Sequence, residues 1–338
     1  MTTIAAHPLD VPNVQLSLLA PAPLAASSLA EGGQDAVGWQ LGFDHARQGV
    51  TLPPSHLHEA SPLFAGWQAA LARRLHRHRD PAPAVRRWLQ LRLQAWTEGL
   101  DYEELLLTPN YLQQLDASHC PVSRELLHDE QDHPARRCLM RLRQDHGYTA
   151  GHLVCLSRRA ADALQGRGLA DLQALALQAA RRAEPLHGLG AAAWARLVSL
   201  VAMVTPDSEL GLLQALPTNR LQLERPQHAL QAWISRQLAR PGWSQRLQAL
   251  HDALPGVPAR QAASALSAAL APHALTLGHD DMARRWALED MWSDGRVQRR
   301  WTALVQQVSP LTIERLLRQL PPPPGWALEQ HHTQVLAA

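Results

Sequence analysis

Apolar residues recur at helical spacing along most of this chain. From Pro62, a first-turn position that suits proline, Trp67, Ala70, Leu71 and Leu75 follow at intervals of three and four, and Pro81 and Pro83 close the segment. A second helix is predicted from about Ala84 through Trp88, Leu89, Leu91, Leu93 and Trp96, ending at Gly99. Thr108-Pro109-Asn110-Tyr111-Leu112 reads as the start of a short helix, because the Thr108 hydroxyl can accept from the open N–H groups of a first turn. Residues 120–156 then break the period with short apolar runs and turn residues, and a helix resumes near Ser157.

From Leu169 to Gln319 the helical spacing returns, in segments at about 169–184, 188–204, 208–216, 226–239, 243–253, 258–271, 282–292, 294–308 and 310–319. Pro185, Pro206, Pro217, Pro226, Pro241, Pro255, Pro258, Pro272 and Pro310 separate them. No fixed-length repeat emerges, so a regular solenoid is not supported. Residues 1–37, with Pro8, Pro12, Pro21 and Pro23 among Ala, Ser and Gly, read as a flexible arm in which Val14–Leu19 could pair as a short strand. Structure is expected to begin at Gly38-Trp39, and the run Pro321 to Pro324 leads into a tail over 321–338. The chain thus divides into an arm (1–37), an N-terminal helical region (38–119), an irregular segment (120–166), a C-terminal helical domain (167–320) and the tail. The fold class is mainly α.

Composition narrows the picture. A hydrophobic share of 46% with 18% charged residues describes a chain that folds, and the net charge of +2 neither demands nor forbids a nucleic-acid partner. Every basic side chain apart from histidine is arginine, which suits bidentate phosphate contacts; GC-rich codon usage would produce the same bias. Trp (11) outnumbers Phe (2) and Tyr (3), so indoles are expected to anchor the helix packing. Cys120, Cys138 and Cys155 make neither a disulfide framework nor a CxxC pair, which fits a reducing compartment. With no apolar run of membrane-spanning length, a cytoplasmic location and no membrane partner are expected.

Within 120–166, four patches follow one another: Cys120-Pro121-Val122-Ser123, Cys138-Leu139-Met140-Arg141-Leu142, Gly147-Tyr148-Thr149-Ala150-Gly151-His152-Leu153-Val154, and Ser157-Arg158-Arg159-Ala160-Ala161. This ordered set resembles the core of HNH-type nucleases. The flanks Trp39–Asp44 and Thr108–Leu112 look like those of uncharacterised proteobacterial proteins carrying such a core. The resemblance implies a small ββα element, HNH-like, embedded in the helical protein. In the family, a hairpin and the following helix hold one divalent cation that polarises the scissile phosphate. Such a cation needs hard oxygen ligands. Here the family's Asp matches Met140, whose thioether is a poor ligand for it. The helix Asn matches Ala161, the Asn after the second Gly matches His152, and the Lys that approaches phosphate matches Leu164. Gly147, Tyr148, Gly151, Arg159 and Ala160, which shape and pack the backbone, are kept. The pattern is that of a degenerate nuclease, with no catalytic residue and no cofactor expected.

Three further sets of side chains qualify that picture. Asp145, His146 and His152 lie around the expected hairpin and could hold Mg²⁺ in a substituted geometry, which would restore an active endonuclease. Cys120, Cys138, Cys155 and His119 could compose a Zn²⁺ site, although structural zinc prefers close ligand pairs. His56/His58 and His76/His78 are spaced so that, on a helix, their rings point apart. Arginines concentrate at Arg73, Arg74, Arg77, Arg79, Arg86 and Arg87, and again at Arg136, Arg137, Arg141, Arg143, Arg158 and Arg159. Of these, Arg73, Arg74, Arg77, Arg86, Arg87, Arg141, Arg158 and Arg159 are the candidate contacts to a DNA or RNA backbone. No phosphate-binding glycine loop, His-Glu-x-x-His site or Gly-x-Ser-x-Gly elbow is present. Three functions remain open: a non-catalytic, nuclease-derived module that binds nucleic acid or a protein partner, an active metal-dependent nuclease, and a helical protein-interaction adaptor.

Overall fold

The computed structural model describes residues 31–75, 80–130, 132–206, 215–216 and 221–320. It is mainly helical, with one small two-stranded antiparallel sheet. The helices are α1 (Glu31–Gln48), α2 (Pro62–Ala72), α3 (Pro83–Glu98), α4 (Pro109–Gln114), α5 (Arg158–Leu164), α6 (Leu169–Ala180), α7 (Ala191–Met203), α8 (Pro226–Leu238), α9 (Trp243–Ala253), α10 (Val257–Leu275), α11 (Asp281–Asp290), α12 (Gly295–Gln307) and α13 (Pro310–Gln319). Strands β1 (Arg137–Arg141) and β2 (Leu153–Ser157) lie between α4 and α5. Among the described residues, no helix is long and apolar enough to cross a membrane. The expected strand at Val14–Leu19, the tail from Pro321 and most of the expected 208–216 helix lie outside the described residues.

Helix α6 ends at Ala180, short of the expected 184, and four other boundaries differ from expectation. The first helix begins at Glu31, inside the segment read as a flexible arm and ahead of the expected Gly38 start. Gly32 and Gly33 give that turn little helical propensity of its own. Tertiary bonds hold it instead: the Trp96 indole N–H donates to the Gln34 carbonyl at 2.8 Å, and the Gln34 amide donates to the Trp96 carbonyl at 3.3 Å. Helix α2 stops at Ala72, because Arg74 turns into left-handed backbone at φ +55°. Pro272 does not end α10 but sits inside its last turn. Helix α7 starts at Ala191, not near 188, because Leu186 and Leu189 exchange backbone bonds in a tight turn first.

The N-terminal helices meet through glycines. A Cβ added at Gly42 would lie 1.8 Å from the Leu63 carbonyl oxygen, and one at Gly66 would lie 1.8 Å from that of Trp39, so backbone packs on backbone where α1 crosses α2. Leu41, Leu52, Leu63 and Leu89 close the small core beneath this crossing. Buried Arg92 ties it to the next segment through Asp44 at 2.7 Å and Glu104 at 2.8 Å, and stacks on Trp88. Gly99 ends α3 in left-handed backbone at φ +65°, which glycine adopts without strain.

The main core crosses the expected boundary at 166/167. Cys120, Val122, Val154, Leu156 and Leu164 share one cluster of buried residues with helices α6 to α13, down to Leu320. Trp194, Trp233 and Trp292 are fully buried in it; the Trp292 indole donates to the Ser235 hydroxyl at 2.8 Å and that of Trp194 to the Leu186 carbonyl at 3.0 Å. A polar clasp reinforces the contact. Arg124, in left-handed backbone at φ +63°, reaches the buried carboxylate of Glu289 at 3.2 Å, Asp290 at 2.9 Å and the face of Trp286. Glu289 also accepts from Arg285 and from the Leu216 N–H, each at 3.2 Å.

Candidate functional site

The segment that carries the resemblance folds as an antiparallel strand pair followed by a helix. Paired residues run Arg137–Ser157, Cys138–Leu156, Leu139–Cys155, Met140–Val154 and Arg141–Leu153. Residues of one strand point alternately to opposite faces. Leu139 and Leu153 therefore share one face, where they join a cluster with Leu91, Leu107 and Leu112 of the N-terminal region. Val154 and Leu156 share the other and enter the main core. The hairpin is thus a layer between two bodies of helices. Ser157 ends β2 and caps α5, its hydroxyl accepting from the Ala160 N–H at 3.4 Å and meeting the Ser123 hydroxyl at 3.2 Å. Helix α5 packs against both strands.

At the positions matched to the family's ligands, apolar side chains are packed inward. Met140 is half-buried against the main core, while Ala161 and Leu164 are buried on α5. The backbone-shaping positions are held tightly. The Tyr148 N–H donates to the Asp101 carbonyl at 2.7 Å, the Ala150 N–H to Glu103 at 2.8 Å and the Gly151 N–H to the Tyr111 hydroxyl at 2.7 Å. Gly151 adopts φ +88°, and a Cβ there would lie 2.7 Å from the Gln222 side chain, so glycine is required twice over. The segment 101–111 and Gln222 therefore grip the turn before β2 from two sides.

Asp145, His146 and His152 lie in one neighbourhood without converging. The Asp145 carboxylate meets Arg143 at 2.7 Å and His146 Nδ1 at 3.1 Å, and the Arg143 guanidinium lowers its carboxyl to about 2. The ring of His146 stands edge-on to that of His152, centroids 6.1 Å apart, and buried His152 places Nε2 3.7 Å from Glu224. Among the described residues, no three such groups are placed to hold a metal ion. Register separates the zinc candidates. Cys138 and Cys155 belong to opposite faces of the hairpin, so one tetrahedral site cannot take both. Cys120 accepts the Ser123 N–H at 3.4 Å in the core, and His119 stands edge-on to Trp286 instead. Burial raises the Cys138 thiol and pushes that of Cys155 up to about 12. A small cavity of about 30 Å³ beside Cys155 is lined by Leu112, Leu115 and Leu139 together with Arg87, Arg136 and Arg137.

Most of the candidate phosphate contacts are engaged by the protein itself. Arg87 chelates Asp116, Arg86 lies 3.5 Å from Asp80, Arg158 meets Asp162 at 2.9 Å and Arg159 meets Glu125 at 2.9 Å. Arg141 is buried: it stacks on Tyr148, donates to the His146 carbonyl and lies 3.6 Å from Glu98. It supports the turn from inside and is not presented to a ligand. Arg73 lies over Phe43 and Arg74 is exposed, at the end of α2 and away from the hairpin, while Arg77, Arg79, His76 and His78 lie outside the described residues. Glu98, Glu103, Glu125 and Glu224, the acidic partners around the segment, have no local motif that singles them out; each is identified only by its contact across the fold. No protein-family model, no curated protein and no solved structure matches this chain.

Proposed function

We propose that residues 120–166 are a non-catalytic module derived from an HNH-type nuclease core, built into a helical protein that works by contact with nucleic acid or a protein partner. One observation carries this reading. Where the motif would place an oxygen ligand, a helix amide and a phosphate-seeking amine, Met140, Ala161 and Leu164 fill packing positions. The order of elements is compatible with it, since β1 carries the Leu139-Met140-Arg141 patch and α5 opens directly after Ser157. Gripping of the turn at Gly151 accounts for the retained glycines without any reaction. The remaining acid and imidazoles at 145, 146 and 152 are engaged with Arg143, with each other and with Glu224.

The test is incubation of the full chain with supercoiled, linear and single-stranded DNA and with RNA, in Mg²⁺ or Mn²⁺. No cleavage above the buffer control is expected. Metal-dependent cleavage that Asp145→Ala, His146→Ala or His152→Ala abolishes would overturn the reading in favour of an active nuclease with substituted ligands.

A further inference from the structure

The hairpin-side arginines find acidic partners within the fold, whereas those of α12 face outward. Helix α12 has the sequence GRVQRRWTALVQQ, without a single Asp or Glu. Val297, Trp301 and Leu304 are buried on its inner face. Arg296, Arg299 and Arg300 are exposed. Their spacing of three and four places them on one face, with Cβ atoms about 5–6 Å apart. Among the described residues no carboxylate lies within ion-pair distance of any of the three. The neighbouring α10, which packs against α12, also contains no acidic residue over Val257–Leu275. The carboxylate that senses Arg299 is Asp294, and its Oδ1 is taken up by the Arg296 and Val297 N–H groups at 2.8 and 3.0 Å. Three exposed guanidinium groups, none within ion-pair distance of a carboxylate among the described residues, make a positive patch.

We propose that the outer face of α12 is a phosphate-binding surface through which the protein holds a nucleic-acid strand. This rests on the reading of the protein as one that contacts nucleic acid, and it moves the contact from the 73–87 run and the hairpin segment to the C-terminal helices. The chemistry fits: guanidinium forks take phosphate oxygens two at a time. Each strand of a duplex carries a phosphate about every 3.4 Å of axial rise, so three long guanidinium side chains within about one turn of α12 can reach neighbouring phosphates. An anionic membrane is a poorer match. Peripheral helices insert an apolar face into lipid, and that face of α12 is already buried in the core.

Binding of the full chain to a short fluorescein-labelled duplex, followed by anisotropy from 50 to 200 mM salt, tests this. Three neutralised phosphates predict a slope of log affinity on log salt of about −2.7, a loss of roughly 40-fold across that range. The R296Q/R299Q/R300Q variant is expected to make the slope shallower by between about 2 and 3, while R73Q/R74Q leaves it unchanged. Phenylglyoxal labelling of the unmodified protein gives a second readout that no folding defect can confuse: DNA should protect Arg296, Arg299 and Arg300, and leave Arg73 and Arg74 reactive. The proposal is overturned by absence of binding at 50 mM salt, by a triple variant with the parental slope, by protection at other arginines only, or by binding to anionic vesicles and not to DNA. The cleavage experiment reports on the hairpin alone, so failure of the α12 surface and failure of the non-catalytic reading are distinguishable.

Discussion

Replacing Glu289 gives the sharpest test of how the segment around Arg124 is held against the C-terminal helices. The side chain is 1% exposed and accepts from Arg124, Arg285 and the Leu216 N–H. Glu289→Ala removes the acceptor from all three donors. Losing one partner of a buried ion pair typically costs about 3–5 kcal/mol. Arg124 keeps Asp290 and Arg285 keeps the Leu216 carbonyl at 2.7 Å, so the lower end, about 3 kcal/mol, is expected. Burial raises the Glu289 carboxyl above its ordinary value, so desolvation outweighs the attraction of the arginines. Glu289→Gln resembles the protonated acid and still accepts one hydrogen bond; it should cost less, about 1–2 kcal/mol. The sign for pH follows. This group's contribution is complete below the unfolded value and is lost as pH rises through the raised folded value. Urea unfolding followed by tryptophan fluorescence measures both variants. An alanine variant within about 1 kcal/mol of the parent, or a glutamine variant as damaged as the alanine one, would refute the reasoning.

Three other outcomes follow from particular contacts. At the α1–α2 crossing, Gly66→Ala gains about 0.5–1 kcal/mol of helix propensity but forces a Cβ against the Trp39 carbonyl, so a net loss of about 1–2 kcal/mol is expected in urea unfolding. Gly33→Ala, with nothing within 4 Å, should be neutral or stabilising, and equal effects at the two sites would contradict the close crossing. His45 donates from Nδ1 to the Leu41 carbonyl at 2.8 Å, and burial lowers its ring to about 4 from 6.5. With the folded value depressed, its contribution is present above about 6.5 and is lost as pH falls towards 4, worth roughly 3 kcal/mol. His45→Asn should flatten the stability profile in that window, and an unchanged slope would exclude the assignment. Iodoacetamide should leave Cys120, Cys138 and Cys155 unlabelled in the native protein and label all three in urea, as mass spectrometry would show; rapid native labelling would contradict their burial.

Helix ends were the most legible part of the fold, because they carry local chemistry. Thr108 accepts the Tyr111 N–H as its position before Pro109 implies, and Pro62, Pro226 and Pro310 open α2, α8 and α13. The strands were less so. Each has five residues, and every residue of β2 is buried, so no polar alternation marks it; only the break in helical period between 120 and 156 pointed there. The first turn of α1 depends on Trp96, far along the chain, and no reading of Gly32-Gly33 alone could supply it. The same distance hides the arginine partners. Arg159 is neutralised by Glu125 and Arg141 lies beside Glu98, pairings that density of basic residues does not reveal. Counting arginines selected the 73–87 run and the hairpin segment, and neither density nor spacing in the sequence pointed to the exposed arginines of α12.

The clasp between Arg124 and Asp290 spans 166 residues of sequence, and this sets a schedule for the protein's own synthesis. At about 5–20 residues per second, roughly 8–33 s pass between the emergence of Arg124 and that of the carboxylate that holds it. During that interval the core over the inner face of β2, with Val154 and Leu156, lacks the residues of α11 to α13. A nascent chain stalled before α11 should therefore be sensitive to protease in the hairpin, and one released after α13 should not.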